Sequence, residues 1–412
     1  MSTASIVSIG NELLIGHTTD TNAAFICQQL LSIGVSVVSV YTVGDDIGQI
    51  VLALKRATDD ADIVVATGGL GPTDDDLTRQ AFAELLDAKL QLDSTLLETI
   101  RQFFAKRGLQ MPEKNAIQAH IPAGAQPIEN PIGTAPGICA RFQQKILFAL
   151  PGVPVEMKQM FEASVLPRLK QQGGKGFTVV RKIRCFGAGE SVIAEKLGNL
   201  MGRQRNPLIN STVDSGVITL HVVADAKTKR QAEQLTKKDI EHLKSLLGDL
   251  IFGTDDQTLP EVVGGLLTQK HKTIAIAESC TGGLLAKLLT DIPGSSAYFT
   301  HGWITYSDKA KTEQLGIAPR AIEKNGAVSE QVASAMALAA QQKARSDFAI
   351  AITGIAGPTG GTEQKPVGLV YISVSSDNNC QTKRFLFSHT RDIIRHRAAL
   401  TALNMLRLAL KD

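Results

Sequence analysis

Four short apolar runs in this chain end on glycine-bearing turns, and that arrangement limits the fold more than any other feature. Residues 5–9 lead into Gly10-Asn11-Glu12, 62–66 into Thr67-Gly68-Gly69, 273–277 into Glu278-Ser279-Cys280-Thr281-Gly282-Gly283, and 349–352 into Thr353-Gly354. Runs of this kind make buried strands, whereas 22–33, 47–57 and 284–289 carry helical composition. Strand and helix alternating at this spacing predict βαβ units and mostly parallel sheets. A strand that turns into a helix leaves the turn at the carboxyl edge of the sheet, where open α/β folds bind ligands. The free N–H groups of the helix start then face whatever sits there. At 412 residues the chain exceeds one hydrophobic core, so two or three domains are expected.

Lys and Arg total 43 against 40 Asp and Glu, a net charge of +3, too balanced for nucleic acid to be a direct partner. The five cysteines are scattered and form no CxxC pair, as expected of reduced thiols rather than a disulfide framework or zinc site. Residues 1–5 carry no basic n-region, so no signal peptide is expected. Residues 21–44 lack charges, but Gln28, Gln29, Gly34 and several serines break them into a helix and a strand rather than a membrane span. Together these features predict a soluble, cytoplasmic protein.

After a helix over 155–170 comes a polar, glycine-rich linker at 171–176. Strand 177–186, helix 190–201, two strands within 208–223, helix 230–247 and strand 250–252 then follow. That β-α-β-β-α-β order predicts a small ferredoxin-like α+β unit. Its basic stretch, 227–244, is interleaved with Glu233, Asp239 and Glu241, as in a solvated helix face. No cluster of candidate catalytic residues falls here, which suits a spacer or dimerisation module. Beyond it, a helix over 259–269 and four apolar strands with glycine-bearing turns predict a second layered α/β domain.

Two loops carry candidate chemistry. In Thr67-Gly68-Gly69-Leu70-Gly71-Pro72-Thr73-Asp74-Asp75-Asp76 the glycines allow backbone nests that present N–H groups to phosphate oxygens. Three adjacent carboxylates are costly to bury without a cation. They are solvated, favoured by a helix start, or ligands of a hard metal ion. The second loop holds Ser279. No GxSxG elbow or HExxH pattern is present, so a Ser-His-Asp triad has no local support. A lysine kept neutral by burial can activate a serine instead, and Lys311, near Tyr306, is a plausible base. Read alone, Ser279 is equally a helix cap and Lys311 a solvated helix residue. The turn at 354–361 is either a phosphate or oxyanion cradle or an ordinary surface turn.

Taken together, Gly10 to Gly16, Asp20-Thr21-Asn22, Thr67 to Thr78, Asn130 to Gly137 and Leu150 to Met157 resemble the N-terminal domain of the CinA (competence/damage-inducible) family. Glu278 to Gly283, Tyr306 to Lys311, Gly326 to Ser329 and Thr353 to Gly361 resemble its C-terminal domain. The resemblance implies three domains: a three-layer α/β domain similar to molybdopterin-binding proteins (1–170), the α+β connector (171–253) and a layered α/β amidase domain (254–412). It implies a bifunctional hydrolase. The N-terminal domain would split ADP-ribose into AMP and ribose 5-phosphate with a divalent metal of unknown identity. The C-terminal domain, needing no cofactor, would deamidate nicotinamide mononucleotide (NMN) to nicotinate mononucleotide and ammonia.

Carried over by residue, the metal falls to Glu12, Asp75 and Asp76, and ADP-ribose to Gly10, Asn11, Gly68, Gly69, Gly71, Thr73, Gly133 and Thr134. Ser279 becomes the nucleophile, Lys311 its base, Tyr306 an orienting or relaying group, and Thr281 with Gly282 and Gly283 the oxyanion donors. Thr353, Gly354, Gly357, Gly360 and Gly361 would hold the nucleotide phosphate; apart from the resemblance, Arg391 and Arg395 are lesser phosphate candidates, and surface pairing on the last helix is at least as good a reading of them. A homodimer is expected by the same resemblance. Two other readings stand beside it: an amidase whose N-terminal domain binds nucleotide without cleaving it, and a competence or DNA-damage accessory protein acting through protein contacts.

Overall fold

A computed structural model describes residues 2–171, 176–377 and 379–411; residues 172–175 of the expected linker lie outside the described residues. The chain forms two compact units, residues 1–180 with 224–235, and residues 181–223 with 236–412.

The first unit is built on a six-stranded sheet ordered Ser36–Val43, Thr3–Ile9, Ile63–Thr67, Lys145–Leu150, Gly137–Phe142, Gln126–Ile128. The first four strands are parallel, and the last two add antiparallel. Alternate residues of each strand face opposite sides. Val7 and Val64 pack with Ile50, Leu54 and Phe82 on one face, while Ile6 and Val65 pack with Ile26, Leu30, Met157 and Phe161 on the other. Helices on both faces give the expected three layers. Asp20 and Asp46 start the helices Thr21–Ser32 and Ile47–Asp60 by accepting from Ala23 N and Gln49 N, both at 2.9 Å. The helix expected over 155–170 is Pro154–Met160, a π-helical turn Phe161–Val165 and Leu166–Gln171.

The middle sheet runs Leu208–Asp214, Val217–Ala226, Phe177–Cys185, Ile251–Thr254. Numbered within that segment the order is 2-3-1-4, that of a ferredoxin-like unit, with helices Glu190–Leu197 and Lys229–Leu247 between its strands.

The C-terminal sheet is ordered Phe299–Ile304, Ile274–Glu278, Phe348–Gly354, Leu369–Ser376, Asn379–Leu386. The first three strands are parallel and the others antiparallel. One face of the central strands is Ile274, Ile276, Ile350 and Ile352, packed with Leu285, Leu289, Ile394 and Leu403. The other is Ala275, Ala277, Ala349 and Ala351, packed with Val332 and Met336 of the helix Glu330–Ala344. The fifth strand, Asn379–Leu386, extends the four expected; as an exposed edge it carries Lys383 and Arg384 rather than an apolar run.

Candidate active sites

In the C-terminal domain the parallel strands deliver three loops to one sheet edge. Ser279 directly follows Ile274–Glu278, and its N–H donates to Ile352 O at 3.0 Å. On the other side Thr305 N–H donates to Glu278 O at 2.8 Å. Ser307 then caps the helix Asp308–Leu315, accepting from Ala310 N at 3.1 Å, and this places Lys311 one turn inside.

Lys311 is only 1% exposed. Its Nζ lies 3.3 Å from Ser279 Oγ, 3.0 Å from Thr305 O and 3.4 Å from Tyr306 O. Burial pulls its pKa below the ordinary lysine value, against a smaller raising effect of Asp308. A neutral amine has two N–H donors and one lone pair. That inventory suits two carbonyls and the proton of a serine hydroxyl. Ser279 itself is buried, not exposed as strand–helix turns often are, and its hydroxyl sits beside the amine.

Glu278 organises the turn. Its carboxylate is fully buried and accepts from the backbone N–H of Gly283 (3.1 Å), Leu285 (3.1 Å) and Ala286 (2.8 Å). Gly283 adopts φ +92°, a left-handed conformation that side chains resist, to bring its amide round. These bonds revise the expected oxyanion donors. Gly283 N–H is given to Glu278, and Gly282 N–H to Ser279 O at 3.0 Å. Among the described residues, the amides of Cys280 and Thr281 donate to no other residue.

Thr281 is buried, its hydroxyl has no partner, and its carbonyl accepts from Arg395 Nη2 at 2.7 Å. Tyr306 is 58% exposed, and its hydroxyl meets Arg391 Nη2 at 2.9 Å rather than Ser279 or Lys311. The other arm of Arg391 donates to Gly357 O at 2.6 Å, tying the 354–361 loop to Tyr306. Thr353 is buried and donates to Ala327 O at 2.8 Å, while Gly354 is half-buried, Gly357 buried, and Gly360 and Gly361 exposed.

In the N-terminal domain a pocket of about 420 Å3 gathers Gly10, Glu12, Gly68, Gly69, Gly71, Asp75, Asp76 and Thr134. Asp45, Gln118 and Glu156 also line it, none of which the sequence singled out. Asn11, Thr73 and Gly133 do not line it. Asn11 N–H donates to Asp45 at 2.9 Å, and Gly133 N–H to Asn130, whose side chain donates to Glu156. Gly68 sits so close to the first strand that a Cβ there would lie 2.0 Å from Ile9 O.

Asp76 is largely committed to its own loop, accepting from Gly71 N at 2.7 Å and from the amide and hydroxyl of Thr73. Behind the loop the buried Arg79, which burial pulls down to about 10, donates to Leu70 O and Gly71 O, both at 2.6 Å. Among the described residues no group of three or more His, Cys, Asp or Glu converges as a metal cage. The acidic donors on this wall are all oxygens, the set that hard divalent ions prefer, and magnesium commonly uses one or two carboxylates plus substrate phosphates and water. Glu12 and Asp75 fit that open kind of site; Asp76 contributes mainly the shape of the loop.

Known proteins identify the family. Residues 256–410 match the description "CinA C-terminal domain", 5–171 "Probable molybdopterin binding domain", and 180–253 "Damage-inducible protein CinA KH domain". A CinA-like protein of Dictyoglomus thermophilum is 42% identical over 405 residues, covering 98% of each chain. Another, from Gloeothece citriformis, is 42% identical over 410 residues with the same coverage. The chain belongs to the CinA family. Among solved structures it is similar to competence/damage inducible protein CihA from Agrobacterium tumefaciens, at 41% identity over 37% of this chain and 94% of that one, TM-score 0.37.

For a CinA protein, then, the motif-bearing loops of each domain lie at the carboxyl edge of its sheet. Sequence reasoning missed Glu278 as a clamp and Asp45, Gln118 and Glu156 as pocket walls. Asn130 and Glu156 did lie inside quoted motifs, which was the available signal; nothing marked Asp45 or Gln118.

Proposed function

We propose that the C-terminal domain of this CinA protein hydrolyses the carboxamide of nicotinamide mononucleotide to nicotinate mononucleotide and ammonia. The observation that supports it is a lysine amine, 1% exposed, 3.3 Å from a serine hydroxyl at the carboxyl edge of a parallel sheet. Lys311 takes the Ser279 proton as Oγ bonds to the carboxamide carbon. The unpartnered amides of Cys280 and Thr281 face the developing oxyanion. Lys311 returns the proton to nitrogen as the C–N bond breaks and ammonia leaves. Water then adds to the ester carbon, giving its proton to Lys311, and Ser279 leaves with that proton as the acid is released. Arg391 holds the 354–361 loop, and Tyr306 with it, for the nucleotide phosphate.

The N-terminal pocket, on the same reading, hydrolyses ADP-ribose to AMP and ribose 5-phosphate. A hard divalent ion held by Glu12 and Asp75 would neutralise charge on the phosphoryl oxygens and activate water. The chain's own part is to bind: the amides of Gly69, Leu70 and Thr134 line the pyrophosphate, while those of Gly68 and Gly71, given to Leu150 O and Asp76, hold the loop in shape with Arg79 behind it. The test is product release from the purified full chain given each substrate in turn. Ammonia should come from nicotinamide mononucleotide and be lost in Ser279→Ala, and AMP should come from ADP-ribose and be lost in Asp75→Asn. Normal ammonia release by Ser279→Ala would overturn the serine mechanism.

A further inference from the structure

In the second unit a cleft of about 770 Å3 lies between the ferredoxin-like segment and the C-terminal domain, and it shares no lining residue with the Ser279–Lys311 site. Its size is that of a small-molecule pocket. One wall is aromatic: the rings of Phe385 and Phe387 lie parallel, 5.7 Å apart and 4° from coplanar orientation, with Phe186 also lining the cleft. Arg397 reaches in from the helix Arg391–Ala409, its guanidinium 5.4 Å over Phe387 and its Nε so near the 214–217 hairpin that a Cβ on Gly216 would lie 3.4 Å away. Lys383 adds a second cation.

Among the described residues neither the Arg397 nor the Lys383 side chain has a hydrogen-bond or ion-pair partner. The two carboxylates that line the cleft are already bonded to serines, Glu190 to Ser211 at 2.7 Å and Asp214 to Ser215 at 2.9 Å. The helix Glu190–Leu197 begins at the cleft, at Gly189, with no side-chain cap, so its first amides add positive potential there. At the rim His389 has φ +108°, a conformation a non-glycine side chain keeps only when its surroundings impose it.

We propose that this cleft binds an aromatic phosphomonoester of nucleotide size, its ring against Phe385 and Phe387 and its phosphate on Arg397 and Lys383. A guanidinium and an ammonium held in no ion pair, beside a flat aromatic wall, match an anionic group joined to a planar ring. The helix that supplies Arg397 also supplies Arg391 and Arg395, whose bonds hold Tyr306, Gly357 and Thr281. An occupant would thus be gripped by the element that steadies the amidase turn.

Photolabelling of the full chain with 8-azido-AMP, followed by peptide mapping, tests this. Labelling is expected within 186–190 or 383–397, to fall at least tenfold in the Lys383→Gln/Arg397→Gln double variant, and to be at least tenfold weaker with 8-azidoadenosine. Labels confined to other peptides, or unchanged labelling in the double variant, would overturn it. Should the double variant fold poorly by circular dichroism, Lys383→Gln alone, at an exposed position, is expected to reduce labelling severalfold, and unchanged labelling there counts equally against the cleft.

Discussion

At the scale of residues, the C-terminal site depends on one buried amine. Lys311 has its pKa lowered by burial from 10.5, so between the folded value and 10.5 the unfolded chain binds more protons than the folded one. The Lys311 contribution to stability therefore rises with pH across that window, and urea melts of Lys311→Met should differ from those of the unmodified chain by the loss of that rising contribution. The same substitution should lower amide hydrolysis by about 100- to 10,000-fold, the usual contribution of a general base. In the unmodified chain, kcat should climb with pH through the folded pKa and then level, because only the neutral amine accepts the serine proton. A kcat falling over that range would contradict the assignment.

The elements show why the turn is where it is, and how much of that the sequence told. Strand–turn–helix alternation was legible because Ile and Ala alternate along the central strands, and the loops that end those strands carried the motifs. Ser279, Lys311 and Tyr306 were named, but their contacts were not all legible. Tyr306 meets Arg391, 85 positions along the chain, and no local pattern announces such a pair. Glu278 was hidden for another reason: its partners are backbone amides five to eight positions ahead, and any sequence supplies amides. Glu278→Gln presents an NH2 to N–H donors, so unfolding in urea should show a loss of about 1–3 kcal/mol together with reduced kcat. By contrast, Thr258 caps the helix Leu259–Gln269 in a capping box with Glu261. Thr258→Ala should lose about 1 kcal/mol while ammonia release stays unchanged.

Across the whole molecule the two catalytic proposals separate cleanly. Chelation of divalent metal should stop AMP formation from ADP-ribose and leave ammonia formation from nicotinamide mononucleotide intact; parallel loss of both would tie the amidase to metal as well. Among the described residues no helix is long and apolar enough to cross a membrane. One shared device links the two sites. Asp76 grips the amides of Gly71 and Thr73, and Glu278 those of Gly283, Leu285 and Ala286. Among the described residues neither carboxylate forms a salt bridge, although Arg79 lies near enough to Asp76 to feel its charge. Counter-ions in solution screen exposed ion pairs over about 8–10 Å, but they do not compete for the amides held by the fully buried Glu278 carboxylate. Raising ionic strength should therefore lift KM for nicotinamide mononucleotide while kcat stays level, leaving the geometry of the Glu278 turn indifferent to the saltiness of its surroundings.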